Sequence, residues 1–192
     1  MLDVVIASIG LAFLSPVIFV TALTVRVFDG KPVLFKQARV GLCGVTFEIF
    51  KFRTMSLSDD RTMFSANNDP RITALGSRLR KTKLDELPQL LNVLRGEMSL
   101  VGPRPEVPEF VDQWPAGPRE SILSIRPGIT DPASIRFRDE GALLADVEDP
   151  AFHYSSVIMP EKLRMYEEYV NTRSTIEDLR ILVRTVLVGL KS

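Results

Sequence analysis

The sequence predicts an α+β domain carried on an N-terminal membrane anchor. Three observations predict it. Residues 4–25 carry no charge. Two strand-like runs flank a glycine-containing turn between residues 33 and 54. Beyond them, apolar residues recur at helical spacing in several short segments. No internal repeat, low-complexity tract or G-x-G-x-x-G loop is present, which argues against a Rossmann nucleotide site.

The anchor is the run from Val4 to Val25, broken in composition only by Ser8, Gly10, Ser15, Pro16, Thr21 and Thr24. It is long enough to cross a hydrocarbon core of ~30 Å. No basic n-region precedes it and no small-x-small site closes it, so the segment is expected to stay attached. Arg26, Lys31, Lys36 and Arg39 follow, and the positive-inside tendency puts the remainder in the cytoplasm. Ser15-Pro16 falls near the middle of the run. Proline there removes one backbone hydrogen bond and clashes with the carbonyl four residues back. The residues allow a kinked spanning helix or a helix that breaks and turns back to the same face. On their own they favour the spanning helix.

Val33-Leu34-Phe35 and Phe47 to Phe52 read as the strands of a hairpin, with Gly41-Leu42-Cys43-Gly44 as turn residues. Lys51 shares a strand face with Phe47 and Ile49. It is either a snorkelling lysine or a lysine aimed into a site. Ser56 to Pro70, with Asp59, Asp60, Asn67, Asn68 and Asp69, reads as a polar loop. Ile72 to Lys83 is a short helix with Gly76 as its weak point. In Lys83 to Gly96, Leu87, Leu90, Leu91 and Leu94 recur at i, i+3, i+4 and i+7. That is one apolar helix face, with Pro88 suited to the first turn and Gly96 to the stop. Gly102-Pro103-Arg104-Pro105 holds Arg104 in extended backbone. It is a phosphate clamp or a salt-bridge partner. Glu106–Trp114 and Arg119–Ile125 are short helices, Arg126–Thr130 a turn and Asp131–Asp149 a charged loop. Pro160–Val170 begins a helix. Ser174-Thr175-Ile176-Glu177 is a capping box opening the last one. The apolar side of that helix, from Ile176 to Leu190, packs on the domain or lies on the membrane surface.

Composition narrows the chemistry. The formal charge is +0, and there is one cysteine, Cys43, and one histidine, His153. An intrachain disulfide and a His/Cys zinc site within one chain are excluded. Ser-His or Cys-His catalysis is disfavoured, and His153 is expected to pack or sit in a loop. Carboxylates, lysines and arginines remain. Asp85 and Glu86 stand side by side at a predicted helix start, after Arg71, Arg78, Arg80, Lys81 and Lys83. Adjacent carboxylates, cations and free backbone N–H groups suit phosphate chemistry with a divalent metal. A capped helix with a solvated basic face is the competing reading. The balanced charge and the lack of interleaved aromatics argue against nucleic acid as a partner.

At this point several motifs resemble the bacterial sugar transferases, the monotopic phosphoglycosyl transferases. They are Ser15-Pro16, Phe50–Met55, Asp69–Thr73, Leu84–Leu90, Asn92–Gly96, Met98–Glu106 and Arg126–Thr130. They stand in family order, cover most of the chain and correspond to the small form: an anchor, 1–28, and a cytoplasmic catalytic domain, 29–192. The resemblance implies transfer of a sugar-1-phosphate from a UDP-sugar to undecaprenyl phosphate, with UMP as the other product. It implies Asp85 as nucleophile, forming a covalent phosphosugar intermediate, and Glu86 as a ligand of Mg²⁺. Lys51, Arg53, Arg80, Arg104, Arg126 and Arg138 are implied to bind phosphate or nucleotide-sugar. It also implies a re-entrant anchor broken at Ser15 and Pro16, short amphipathic helices at the membrane surface and a place on the cytoplasmic face of the bacterial inner membrane. UDP-sugar, undecaprenyl phosphate and membrane lipid are the expected partners, with a homodimer open. The chain departs from the family in lacking basic residues ahead of the anchor. It departs again after Thr130, where a Gly-aromatic-Gly-Arg pattern is replaced by Asp131 to Arg138. A scaffold of the same fold without catalysis is the alternative; the intact Asp85-Glu86 pair argues against it.

Overall fold

The computed structural model describes residues 2–57, 69–144 and 147–190. The Ser56–Pro70 loop lies mostly outside the described residues.

Helix α1 (Leu2–Phe28) is a single helix with Pro16 inside it. Proline at 16 deprives the Ala12 carbonyl of its i+4 donor. The Ser15 hydroxyl donates to that carbonyl instead, at 2.8 Å. The Ser-Pro pair therefore repairs the bond that its proline removes, as a hydroxyl can do in an apolar segment. No interruption of the helix marks the step. The burial of α1 is concentrated at its two ends. Ala7 near the start and Val25 near the end are fully buried, whereas Phe13 and Phe19 between them are 83% and 69% exposed. Each end also has a polar tie to the same domain. Ser99 Oγ donates to Asp3 Oδ2 at 2.8 Å, and Thr73 Oγ1 donates to Asp29 Oδ2 at 3.0 Å.

Strands β1 (Leu34–Val40) and β2 (Thr46–Phe52) form the expected antiparallel hairpin. The Gly41–Gly44 turn closes it, with Cys43 and Gly44 both at positive φ. Helix α2 (Ala74–Thr82) is capped by Thr73, whose hydroxyl accepts from the Gly76 N–H at 2.8 Å. Lys83 then adopts a left-handed conformation, φ 57°, which ends α2 and turns the chain. A six-residue 3-10 helix, Leu84–Gln89, runs directly into α3 (Leu90–Leu94). The carboxylates thus lie in a 3-10 turn, and Pro88 stands inside it rather than in the first turn of an α-helix. The tight turn at Lys83 starts the element early. Gly96, at φ 75°, stops it as expected.

Two further strands were not legible as strands. β3 (Ser99–Val101) and β4 (Gly128–Thr130) pair in parallel, so the expected turn at Arg126–Thr130 is half strand. The pairing needs two bare backbones, because a Cβ on Gly128 would stand 2.1 Å from the Gly102 nitrogen. Between them lie α4 (Pro108–Val111) and α5 (Ala116–Leu123). The charged segment after Thr130 is not a loop: Asp131 caps α6 (Pro132–Arg136), and α7 (Glu140–Leu143) follows. Helix α8 (Pro150–His153), which ends at His153, passes through a π-helical turn, Tyr154–Ile158, into α9 (Met159–Thr172). Helix α10 (Thr175–Leu190) closes the described chain. The Ser174 hydroxyl accepts from the Glu177 N–H at 3.2 Å, as the capping box predicts.

The core has three parts. Val25, Phe52 and Leu79 pack the end of α1 on the hairpin and α2. Ala7, Ile49, Val93, Met98, Val101, Tyr169 and Ile181 join the start of α1 to β2, α3, α9 and α10. Trp114, Ile122, Ala133, Tyr154 and Tyr166 fill the far side. One side of α10 packs on the domain through Ile181 and a Thr130–Thr185 hydroxyl pair at 2.8 Å. Ile176, Leu179, Val183, Val186 and Leu187 remain exposed.

Candidate active site

Asp85 and Glu86 are consecutive yet sit in different surroundings. Glu86 is clasped by two cations. Lys51 Nζ, from β2, lies 3.0 Å from its Oε1. Arg104 Nη2 lies 2.6 Å from the same oxygen, and Nη1 reaches Oε2 at 3.5 Å. Burial by itself would raise the Glu86 carboxyl, but Arg104 and Lys51 outweigh it and hold the group well below the usual carboxylate range. Burial pushes the Lys51 ammonium down to about 8 against the pull of Glu86. The Arg104 guanidinium is held in its charged form, first by Glu86. All three are charged at neutral pH. Lys51 therefore does not snorkel to solvent but turns to Glu86, and Arg104 is a salt-bridge partner of the same carboxylate.

Asp85 is 7% exposed, and its Oδ1 is buried with no hydrogen-bond partner. Burial first and then the charge of Glu86 raise its carboxyl; Lys51, Lys83 and Arg80 pull the other way. An unmade hydrogen bond on a buried polar group costs about 1–3 kcal/mol. Such a group is a functional candidate where charged neighbours converge on it. Arg80 belongs to this group of charges. Its Nε donates to Thr54 Oγ1 at 2.9 Å, and the charge of Asp85 does most to offset the effect of its burial. Gly76 makes this placement possible. A Cβ there would stand 2.0 Å from the Thr54 carbonyl oxygen, so only glycine lets α2 approach the segment after β2 this closely. The expected weak point of α2 is its docking point.

The other predicted arginines hold the scaffold in this structure. Arg53, just after β2, donates to the carbonyls of Lys31, at 3.0 Å, and Asp29, in the turn that follows α1. Arg126 Nε donates to the Gly96 carbonyl at 2.8 Å. Arg138 Nη1 donates to the Val188 carbonyl, near the C-terminal end of α10. Among the upstream cations, Arg71 is held by Asp69 at 2.6 Å.

Three supporting residues escaped the sequence reading. Glu106 accepts from Tyr154 Oη at 3.0 Å and from Arg39 Nη1 at 3.4 Å, while Arg39 also donates to the Pro105 carbonyl at 3.1 Å. They anchor the Pro103–Glu106 segment from which Arg104 reaches Glu86. The two prolines were the only local signal.

The donor chemistry fits Mg²⁺. That ion is commonly held by one or two carboxylates and completes its shell with water and substrate phosphate. Asp85 Oδ1 is unpartnered and Glu86 Oε2 has only the 3.5 Å contact. No cluster of three or more His, Cys, Asp or Glu side chains suited to a metal occurs among the described residues, so a cage of protein ligands alone is not formed there.

A family model described as bacterial sugar transferase matches residues 1–192. The chain is 37% identical over 189 residues to a UDP-glucose:undecaprenyl-phosphate glucose-1-phosphate transferase of Caulobacter vibrioides, covering 96% of this chain and 67% of that one. It is 36% identical over 192 residues to the Escherichia coli protein of the same description, covering 97% of this chain and 39% of that one. It is 42% identical over 115 residues to a UDP-N-acetylgalactosamine-undecaprenyl-phosphate N-acetylgalactosaminephosphotransferase of Aeromonas hydrophila, covering 59% of this chain and 27% of that one.

Proposed function

The chain belongs to the bacterial sugar transferase family, and we propose that it moves a sugar-1-phosphate from a UDP-sugar to undecaprenyl phosphate through a covalent intermediate on Asp85. The observation that carries this reading is a buried, unpartnered Asp85 oxygen beside a carboxylate whose Oε1 is already paired with two cations. A carboxylate is a nucleophile at neutral pH without a base to activate it. In the first step an Asp85 oxygen forms a bond to the sugar-bearing phosphorus. The bond from that phosphorus to the bridging oxygen breaks, and the electron pair leaves with UMP. In the second step an oxygen of the lipid phosphate attacks the same phosphorus. The bond to Asp85 then breaks and the carboxylate is restored.

Glu86 holds Lys51 and Arg104 in place before substrate arrives, so their charges need little reorganisation when phosphate enters. Arg80 adds charge from α2. Asp85 and Glu86 would hold Mg²⁺, which when bound offsets the repulsion between carboxylate and phosphate and steadies the leaving phosphate. The names of the relatives include both glucose and N-acetylgalactosamine transferases, so the donor is proposed as a class.

The anchor is proposed to enter and leave one leaflet, with both ends on the cytoplasmic face of the bacterial inner membrane. Supporting this, Asp3 and Asp29 both bond to the one globular domain, and Ala7 and Val25 are both buried in it. A spanning helix would carry one end ~30 Å away across the hydrocarbon core.

The test is UMP release and lipid product formation with a panel of UDP-sugars and undecaprenyl phosphate in detergent. Wild type is expected to form undecaprenyl-diphosphate-sugar with at least one donor, and Asp85→Asn with none. Product formation by Asp85→Asn at the wild-type rate would remove the nucleophile from the reading.

A further inference from the structure

We propose that Asn92 is a positioning residue of the site, setting Lys51 against Glu86 through the backbone of β2. This rests on the reading of Lys51 and Glu86 given above. The hairpin has only two strands among the described residues, and a two-stranded ribbon is marginal without support. One side of β2 is paired with β1. The other presents the N–H of Phe50 and the carbonyl of Glu48 to α3. Asn92 is 0% exposed. Its Oδ1 accepts from the Phe50 N–H at 3.1 Å, and its Nδ2 donates to the Glu48 carbonyl at 2.7 Å. A carboxamide carries one acceptor and one donor group, as a peptide does. Asn92 thus stands in for one residue of a third strand.

Two further contacts lock it. Nδ2 also donates to Glu97 Oε2 at 2.7 Å. The backbone carbonyl of Asn92 accepts from the N–H groups of Glu97, at 3.0 Å, and Met98, at 3.3 Å. Two acceptors on the nitrogen side and an N–H on the oxygen side leave one sense for the amide. Lys51 is the residue next to Phe50, and Glu86 lies on the 3-10 helix that runs directly into α3. The element that bears the carboxylate therefore grips the strand that bears the cation. A lysine side chain is flexible; its backbone must be held if Nζ is to stay 3.0 Å from Glu86.

The experiment has two arms on the full chain in detergent. The first is acetylation footprinting of lysines, which needs no activity. In Asn92→Ala, labelling of Lys51 should rise several-fold over wild type while Lys36 and Lys162 stay unchanged. Unchanged labelling of Lys51 overturns the proposal, and so does an equal rise at all three. If Asn92→Ala does not fold, Asn92→Asp is read in the same way. It keeps size and the acceptor for Phe50 but turns an acceptor toward Glu48. The second arm is a double-mutant cycle on UMP release, with UDP-glucose and UDP-N-acetylgalactosamine as donors. Asn92→Ala should lower kcat by about tenfold to a hundredfold, the effect of a small misplacement, with a smaller change in KM. In a Lys51→Met background it should have little further effect. Factors that multiply in the double variant would make Asn92 a structural residue. No UMP from wild type with any donor would sink the transfer reading, while the footprint still decides the positioning.

Discussion

Neighbouring carboxylates in this site are held in opposite states, and the difference predicts opposite effects of mutation. Glu86 carries two ion pairs at 3.0 and 2.6 Å. Glu86→Gln leaves Lys51 and Arg104 facing each other without a counter-charge. Breaking a largely buried pair in this way costs about 3 kcal/mol. Asp85 carries an unpartnered buried oxygen next to a like charge. Asp85→Asn removes that charge and should raise Tm by about 2–4 °C, roughly 1 kcal/mol for a chain of this size. Thermal unfolding of the two variants in detergent checks both signs; a shared direction contradicts the account. The acid limb follows from the same pair. Because the folded Glu86 carboxyl is depressed, its stabilisation is complete above its ordinary value of 4.5 and is lost as pH falls below that value. The gap in Tm between wild type and Glu86→Gln should therefore narrow between neutral and strongly acid pH. At this scale the sequence made Asp85, Glu86, Lys51 and Arg104 individually legible through their motifs. That the last two meet on one carboxylate was not legible, because the partners are separated by 35 and 18 residues. Asn92 stood in a motif, but its contact with β2 was not legible, since the partners there are backbone groups of another element.

Elements were legible where their periodicity was long and illegible where they were short. The anchor, the hairpin, α2 and α10 follow from composition and pattern. β3 and β4 are three residues each and show no alternation, and α6 and α7 are too short to display a period. Gly76→Ala places a Cβ 2.0 Å from the Thr54 oxygen, so α2 must move off the segment that follows β2. Overpacking of this kind costs typically 1–3 kcal/mol, about 2–12 °C in Tm for this length, and it also shifts Arg80. A Tm within a degree of wild type would contradict the close approach. Arg138 was expected to bind the donor, yet its contact with the Val188 carbonyl ties the end of α10 to the segment after α6. Arg138→Ala should lower Tm and loosen α10, read as faster amide exchange over residues 182–190. A raised KM at unchanged Tm and exchange would return it to the donor site.

For the whole molecule, the proposed re-entrant anchor and the proposed transfer depend on the same arrangement. Both ends of α1 rest on the domain that carries Asp85; on the proposed reading this keeps the site at the bilayer surface, within reach of a soluble donor and a lipid phosphate. With Cys43 replaced by Ser, Leu2→Cys should resist an impermeant thiol reagent in intact cells. Labelling from outside would restore the spanning helix, and Pro16→Leu should move the balance that way by removing the proline ring clash and returning the backbone N–H that holds a helix straight across the core. The most direct measurement of the central claim is rapid-quench intact mass spectrometry of the protein mixed with UDP-sugar and Mg²⁺ in the absence of undecaprenyl phosphate. The account predicts a stoichiometric burst of UMP and a protein heavier by one sugar phosphate, mapped to Asp85 and absent from Asp85→Asn. Release of UMP only when the lipid phosphate is present, with no adduct at any quench time, would contradict it and favour direct transfer between the two bound substrates.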